Sequence, residues 1–162
     1  MRRLSSAASV LLLCSACPPP SEICGLSTTL PTDAEVAEGR GKATRSDGQP
    51  FDAPGTWSPT SLSIVIETLD IIASADETGS SVSELIEAAA FPICVPVRDR
   101  SETSGYAFLA DGAFGSDADH TGGVAILGRD GDVLVGRFAF DLANPQGQAI
   151  TFSDGAFRVP SR

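Results

Sequence analysis

From Gly123 to Val159 the chain runs through three apolar–polar alternations separated by two turn signals, the pattern of an antiparallel β-meander. Gly123 to Leu127 reads as a strand, Arg129-Asp130-Gly131-Asp132 as a hairpin turn and Val133 to Leu142 as the partner strand. In that partner Leu134, Gly136, Phe138, Phe140 and Leu142 share one face, with Arg137 and Asp141 on the other. Asn144-Pro145-Gln146-Gly147 turns the chain into a last strand from Ala149. There Ile150 and Phe152 share a phase that Phe157 and Val159 do not. The slip falls at Asp154-Gly155 and predicts a β-bulge.

Upstream the signals are shorter. Residues 25–41 are small and polar and read as linker. Lys42 to Arg45 opens a first strand, and Asp47-Gly48 is a turn. Pro50, Pro54, Gly55 and Pro59 argue against long regular structure before Leu62. Leu62 to Leu69 alternates and is β-branched, as one strand should be. Ser81-Val82-Ser83-Glu84 resembles a capping box, and Val82, Leu85, Ile86 and Ala89 follow at helical spacing. Pro92 closes that helix of about ten residues. Ile93 to Val97 and Gly105 to Ala110 are further strand candidates.

The expectation is a mainly β fold, an antiparallel meander arranged as a sandwich or barrel-like domain, with one short helix. With 162 residues a single core can form without help from a metal. The formal charge of −10 argues against nucleic-acid binding, which needs a basic stripe to displace counterions.

The first seventeen residues read as an address. Arg2 and Arg3 form a positive n-region, and the apolar stretch Leu4 to Leu13 is half the ~20 residues that span a bilayer. Leu13-Cys14-Ser15-Ala16-Cys17 resembles the lipobox of bacterial lipoproteins, with Cys14 where leucine is usual. The resemblance implies cleavage after Ala16 and lipidation of Cys17. With no Asp after Cys17, it implies an outer-membrane lipoprotein. The alternative is an ordinary secretory signal cut at the same bond, leaving a soluble periplasmic or secreted protein. Two or more acyl chains anchor stably, at ~0.8 kcal/mol per buried methylene. Pro18-Pro19-Pro20 favours a stiff polyproline II stalk. The expected organisation is thus a signal peptide over 1–16, a lipidated, Pro-rich tether over 17–40 and one β-rich domain over 41–162.

Processing would discard Cys14 and commit Cys17 to lipid. Cys24 and Cys94 then remain, a pair for a disulfide in an oxidising compartment. The alternative is a buried free thiol at Cys94 and a stray tether cysteine at Cys24.

A second resemblance covers the last forty residues. Val135-Gly136-Arg137-Phe138-Ala139-Phe140, then Ile150-Thr151-Phe152 and Asp154-Gly155-Ala156-Phe157, are similar to the closing strands of small bacterial lipoproteins with uncharacterised β domains. Those pair a G-x-F-x-F strand with an I-T-x-G-x-F strand; here Phe152-Ser153-Asp154 adds spacing before Gly155. The resemblance implies a β fold and carries over no active site.

Chemistry-bearing motifs are sparse: there is no G-x-S-x-G, Walker loop, H-E-x-x-H or C-x-x-C after residue 17. His120 is the only histidine, so any catalytic base of that type is His120. Asp117, Asp119 and His120 have metal-ligand chemistry but read more simply as a solvated loop. Asp130 and Asp132 flank a turn glycine, and Trp57 is either a stacking surface or a core anchor. No catalytic residue, metal site or cofactor is assigned. The expected function is an exported, lipid-anchored structural or interaction module of the cell envelope, with the membrane and an envelope protein or small ligand as partners. Its alternative is small-ligand or carbohydrate binding in a β-barrel or sandwich cavity, lined by Phe138, Phe140 and Phe152.

Overall fold

A computed structural model describes residues 22–110 and 112–162. Eleven strands and one helix follow in the order β1 (Glu22–Ile23), β2 (Leu26–Ser27), β3 (Arg40–Arg45), β4 (Pro50–Ser58), β5 (Ser63–Ile66), β6 (Leu69–Ala73), α1 (Val82–Glu87), β7 (Ile93–Val97), β8 (Gly105–Leu109), β9 (Gly122–Asp130), β10 (Val133–Ala143) and β11 (Ala149–Pro160). β1 and β2 form a small hairpin. The other nine strands form one antiparallel sheet in the order β7-β9-β10-β11-β3-β4-β5-β6-β8. Two meanders, β3 to β6 and β9 to β11, are thus joined along the β11–β3 ladder.

The sheet nearly closes on itself, which makes it barrel-like rather than a two-sheet sandwich. At one end of the seam the Arg98 N–H after β7 donates to the Gly105 carbonyl of β8 at 2.9 Å. Ser116 Oγ accepts the Ala107 N–H at 3.0 Å and donates to the Arg98 carbonyl at 2.6 Å. At the other end Gly115 bridges Phe108 of β8 to Ala143 of β10. Pro96 lacks an N–H and sits on the free edge of β7, a device that blunts an edge strand.

The barrel core follows from the expected face of β10. Leu134, Phe138, Phe140 and Leu142 are buried, as are Ile150, Phe152, Phe157 and Val159 of β11. The β10–β11 register slips between Phe138 and Phe140, and the β11–β3 register between Ser153 and Ala156. Asp154 lies there at φ 53°, so the bulge falls where the phase change predicted it. Across this ladder Gly136 faces Phe157 and Gly155 faces Phe138. A methyl at Gly136 would overlap the Phe157 ring, and one at Gly155 would stand 2.5 Å from the Phe138 carbonyl. Each G-x-F run therefore supplies the gap that the other's ring fills.

Several upstream expectations are corrected. Leu62 to Leu69 is not one strand: it breaks into β5 and β6 at Glu67-Thr68, with Glu67 at φ 53°. Residues 50–58 form β4 despite Pro50 and Pro54. Pro50 lies at the strand's end, and the Pro54 carbonyl accepts the Glu67 N–H just outside the paired Gly55–Ser58 stretch. Its missing N–H therefore costs no bond inside a ladder. α1 has six residues, not ten, and Ser81 makes no side-chain capping bond. Instead Ser81 bridges Ala75, and the Val82 N–H donates to the Ser74 carbonyl. The helix stops before Pro92 is reached. Ala89 turns left-handed at φ 52°, with Ala90 N–H on the Leu85 carbonyl and Ala89 N–H on the Ile86 carbonyl, a Schellman closure. Val82 and Ile86 cap one end of the barrel over Trp57, Ile64, Ile126 and Leu134.

The stretch read as linker is packed. Cys24 is bridged to Cys94 of β7, with a Cα separation of 5.5 Å, and its Cβ rests over Gly123. Arg137, on the outer face of β10, holds Glu35 through two hydrogen bonds of 2.6 and 3.0 Å and donates to the Thr29 carbonyl at 2.9 Å. Arg158 of β11 pairs with Asp33. Residues 22–38 thus form a strap along the outside of β9 to β11, where Ala125, Leu127, Val135 and Ala156 are buried on the outer face. The lipobox-like segment, Cys17 and Pro18-Pro19-Pro20 lie outside the described residues.

Candidate functional site

The loop carrying the only histidine is built by one carboxylate. Asp117 Oδ1 accepts the N–H groups of Asp119 and His120 at 2.9 and 2.8 Å and lies 2.8 Å from His120 Nδ1. The bond to the His120 side chain, helped by these backbone donors, holds the Asp117 carboxyl below its ordinary value. Among the described residues no serine oxygen reaches His120, and no three His, Cys, Asp or Glu side chains gather as a metal site. The loop folds on itself beside the barrel seam.

Two open, polar clefts flank that seam, of about 400 and 390 Å³, and both are walled by Pro96, Arg98 and Glu102. Three of their charged groups, Arg98, Glu102 and Asp76, are engaged locally. Arg98 pairs with Glu102 at 3.3 Å. Asp76 accepts the Thr78 and Ser80 N–H groups and the Thr78 hydroxyl at 2.8–2.9 Å. Burial raises the Asp76 carboxyl, but these bonds outweigh it and leave it lowered.

Trp57 is an anchor rather than a stacking surface. It is 2% exposed, its indole N–H donates to the Asp132 carbonyl at 2.8 Å, and Arg129 stacks 5.5 Å above its ring. Asp130 and Asp132 belong to the β9–β10 hairpin, whose Gly131 takes φ 60°. The space between Phe138, Phe140 and Phe152 is filled by the rings themselves, at centroid distances of 5.4 to 6.4 Å, with Phe51 set edge-on 5.2 Å from Phe152. A void of about 10 Å³ remains under α1.

The arrangement that the sequence did not single out lies on the outside of β8. Gly105, Ala107 and Leu109 face the core, so Tyr106 and Phe108 face out. Their rings are nearly parallel, 19° apart with centroids at 5.7 Å. Arg100, from the loop before β8, stacks 5.5 Å from the Tyr106 centroid. With Phe114, Gly115 and Ser116 these residues wall a groove of about 180 Å³. The alternation of Gly-Tyr-Ala-Phe-Leu was the available signal, but small residues pointing inward disguise which phase is the core.

No family model matches the chain, and no curated protein or solved structure matches it.

Proposed function

We propose that this chain is an exported, lipid-anchored protein of the cell envelope, held through Cys17 at the outer membrane and acting there as a structural or interaction module. The observation that carries the reading is the Cys24–Cys94 bridge, because a structural disulfide belongs to an oxidising, extracytoplasmic compartment. It joins a signal-like start, a lipobox-like Cys17 and a net charge of −10 that would repel anionic lipid without an anchor. The ring-filled barrel supports interaction through the outer surface over a ligand held in an interior cavity. No chemistry is assigned to His120, whose ring meets an Asp117 oxygen already engaged by two backbone donors.

The test is Cys17→Ser expressed in a two-membraned bacterium. Fatty-acid labelling should disappear, and the protein should move from the membrane to the soluble fraction. Unchanged membrane partitioning would overturn the anchor.

A further inference from the structure

We propose that the groove on the outer face of β8 binds a single carboxylate-bearing sugar ring of a small acidic saccharide. The groove holds about 180 Å³, more than the ~150 Å³ of a cavity that takes one benzene ring, so a sugar would lay one face in it and keep the other in solvent. Its walls are the Tyr106, Phe108 and Phe114 side chains, and C–H-rich sugar faces pack on aromatic surfaces of this kind.

Charge selects the acidic sugar. Arg100 is exposed and stacked on Tyr106, and among the described residues it has no carboxylate partner. An unpaired guanidinium fixed at the rim of an aromatic groove is a fork for a carboxylate. Asp70, the cross-strand neighbour of Phe108, accepts the Ser63 hydroxyl at 2.7 Å and keeps its charge, so attraction of a carboxylate rests on Arg100 alone. A nucleic acid would also offer rings and anions, but its continuous charge would meet one guanidinium in a chain of net charge −10. The inference goes beyond the anchored-module reading: a protein that is anchored but leaves the sugar unbound overturns this inference alone.

The probe is an aldobiouronic acid, a glucuronic acid linked to one neutral sugar, titrated into the purified full-length protein and followed by NMR. The corresponding neutral disaccharide is the control. Saturable shifts are expected at Arg100 Nε–H, Tyr106, Phe108 and Gly115, with the neutral sugar weaker by about tenfold or more. Arg100→Gln, an exposed change that leaves the core untouched, should erase that preference. Gly115→Leu should block the groove outright. Gly115 pairs with Phe108 on the outer face, and its added Cβ would make ordinary contact 3.8 Å from the Phe108 Cβ. Absence of saturable shifts at millimolar acidic sugar, equal affinity for the neutral sugar, or undiminished binding by Arg100→Gln would each overturn the proposal.

Discussion

Gly136 and Gly155 show how a residue without a side chain specifies a core. Each faces the other motif's phenylalanine, so the two G-x-F runs interlock only in the register that the structure adopts. A one-residue slip would set ring against ring and turn the polar face inward. Gly155→Ala would force its methyl to within 2.7 Å of the Phe138 ring and 2.5 Å of its carbonyl. Backbone cannot yield as a flexible side chain would, so a loss of about 2–3 kcal/mol is expected in chemical denaturation. Parent-like stability would mean that the ring is not held there. Ala89 presents the opposite case. It closes α1 at φ 52°, where a Cβ is strained and glycine is not. Ala89→Gly should raise stability by about 1 kcal/mol, visible as a higher denaturation midpoint at unchanged slope.

At the scale of elements, the strap over residues 22–38 depends on Arg137 as much as on the disulfide. Arg137→Ala should speed hydrogen exchange in residues 29–36 while leaving β9 to β11 protected. The same region should loosen with acid. The Arg137 guanidinium, hydrogen-bonded to Glu35, holds that carboxyl below its ordinary value. A lowered folded-state value means a contribution that is complete above the unfolded glutamate value of ~4.3 and is lost as pH falls through the folded one. Protection factors in the strap, corrected for intrinsic exchange, should therefore fall as pH drops below the ordinary glutamate value, and in Arg137→Ala this pH step should vanish. The Cys24–Cys94 bridge was legible from the cysteine count, but the rest of the strap was not, because it is held by ion pairs between residues a hundred or more positions apart in a stretch of small polar composition. By contrast β9, β10, β11 and the bulge were legible, since period-2 alternation and a phase slip are local signals. β5 and β6 merged in the reading because Glu67-Thr68 contains no glycine, proline or asparagine to mark a turn. β4 was missed because its prolines stand where no ladder donor is needed. Of the candidate sites, Trp57 and the Asp130–Asp132 turn could be read from their neighbours. The β8 groove could not: Arg100 and Phe114 reach it from the irregular loops on either side of β8, whose paths leave no periodic signal.

For the whole molecule, the strap changes what the proposed anchor would do. A tether running to residue 40 would hold the barrel well off the bilayer, but Cys24 is fixed to β7 only seven residues after Cys17. Seven residues reach at most about 25 Å fully extended. The Cys24 side of the barrel would therefore stay near the headgroups, whatever the conformation of the intervening chain. Closing the 70-residue separation also contributes about 4 kcal/mol in the chain-entropy model, so the bridge serves stability and position together. Replacing Cys24 and Cys94 by serine and Arg137 by alanine removes the bridge and the bidentate hold on Glu35. The first remaining attachments are then Asp33 on Arg158 and the buried Val36, and the available chain lengthens to about 55 Å of maximum reach. Neutron reflectometry of the lipidated protein on a supported bilayer should show a protein layer close to the headgroups for the parent and a thicker, more dilute layer for the triple variant. Circular dichroism would establish that the barrel remains folded. Identical layer profiles from a folded, lipidated triple variant would show that something other than the strap sets the distance between barrel and membrane.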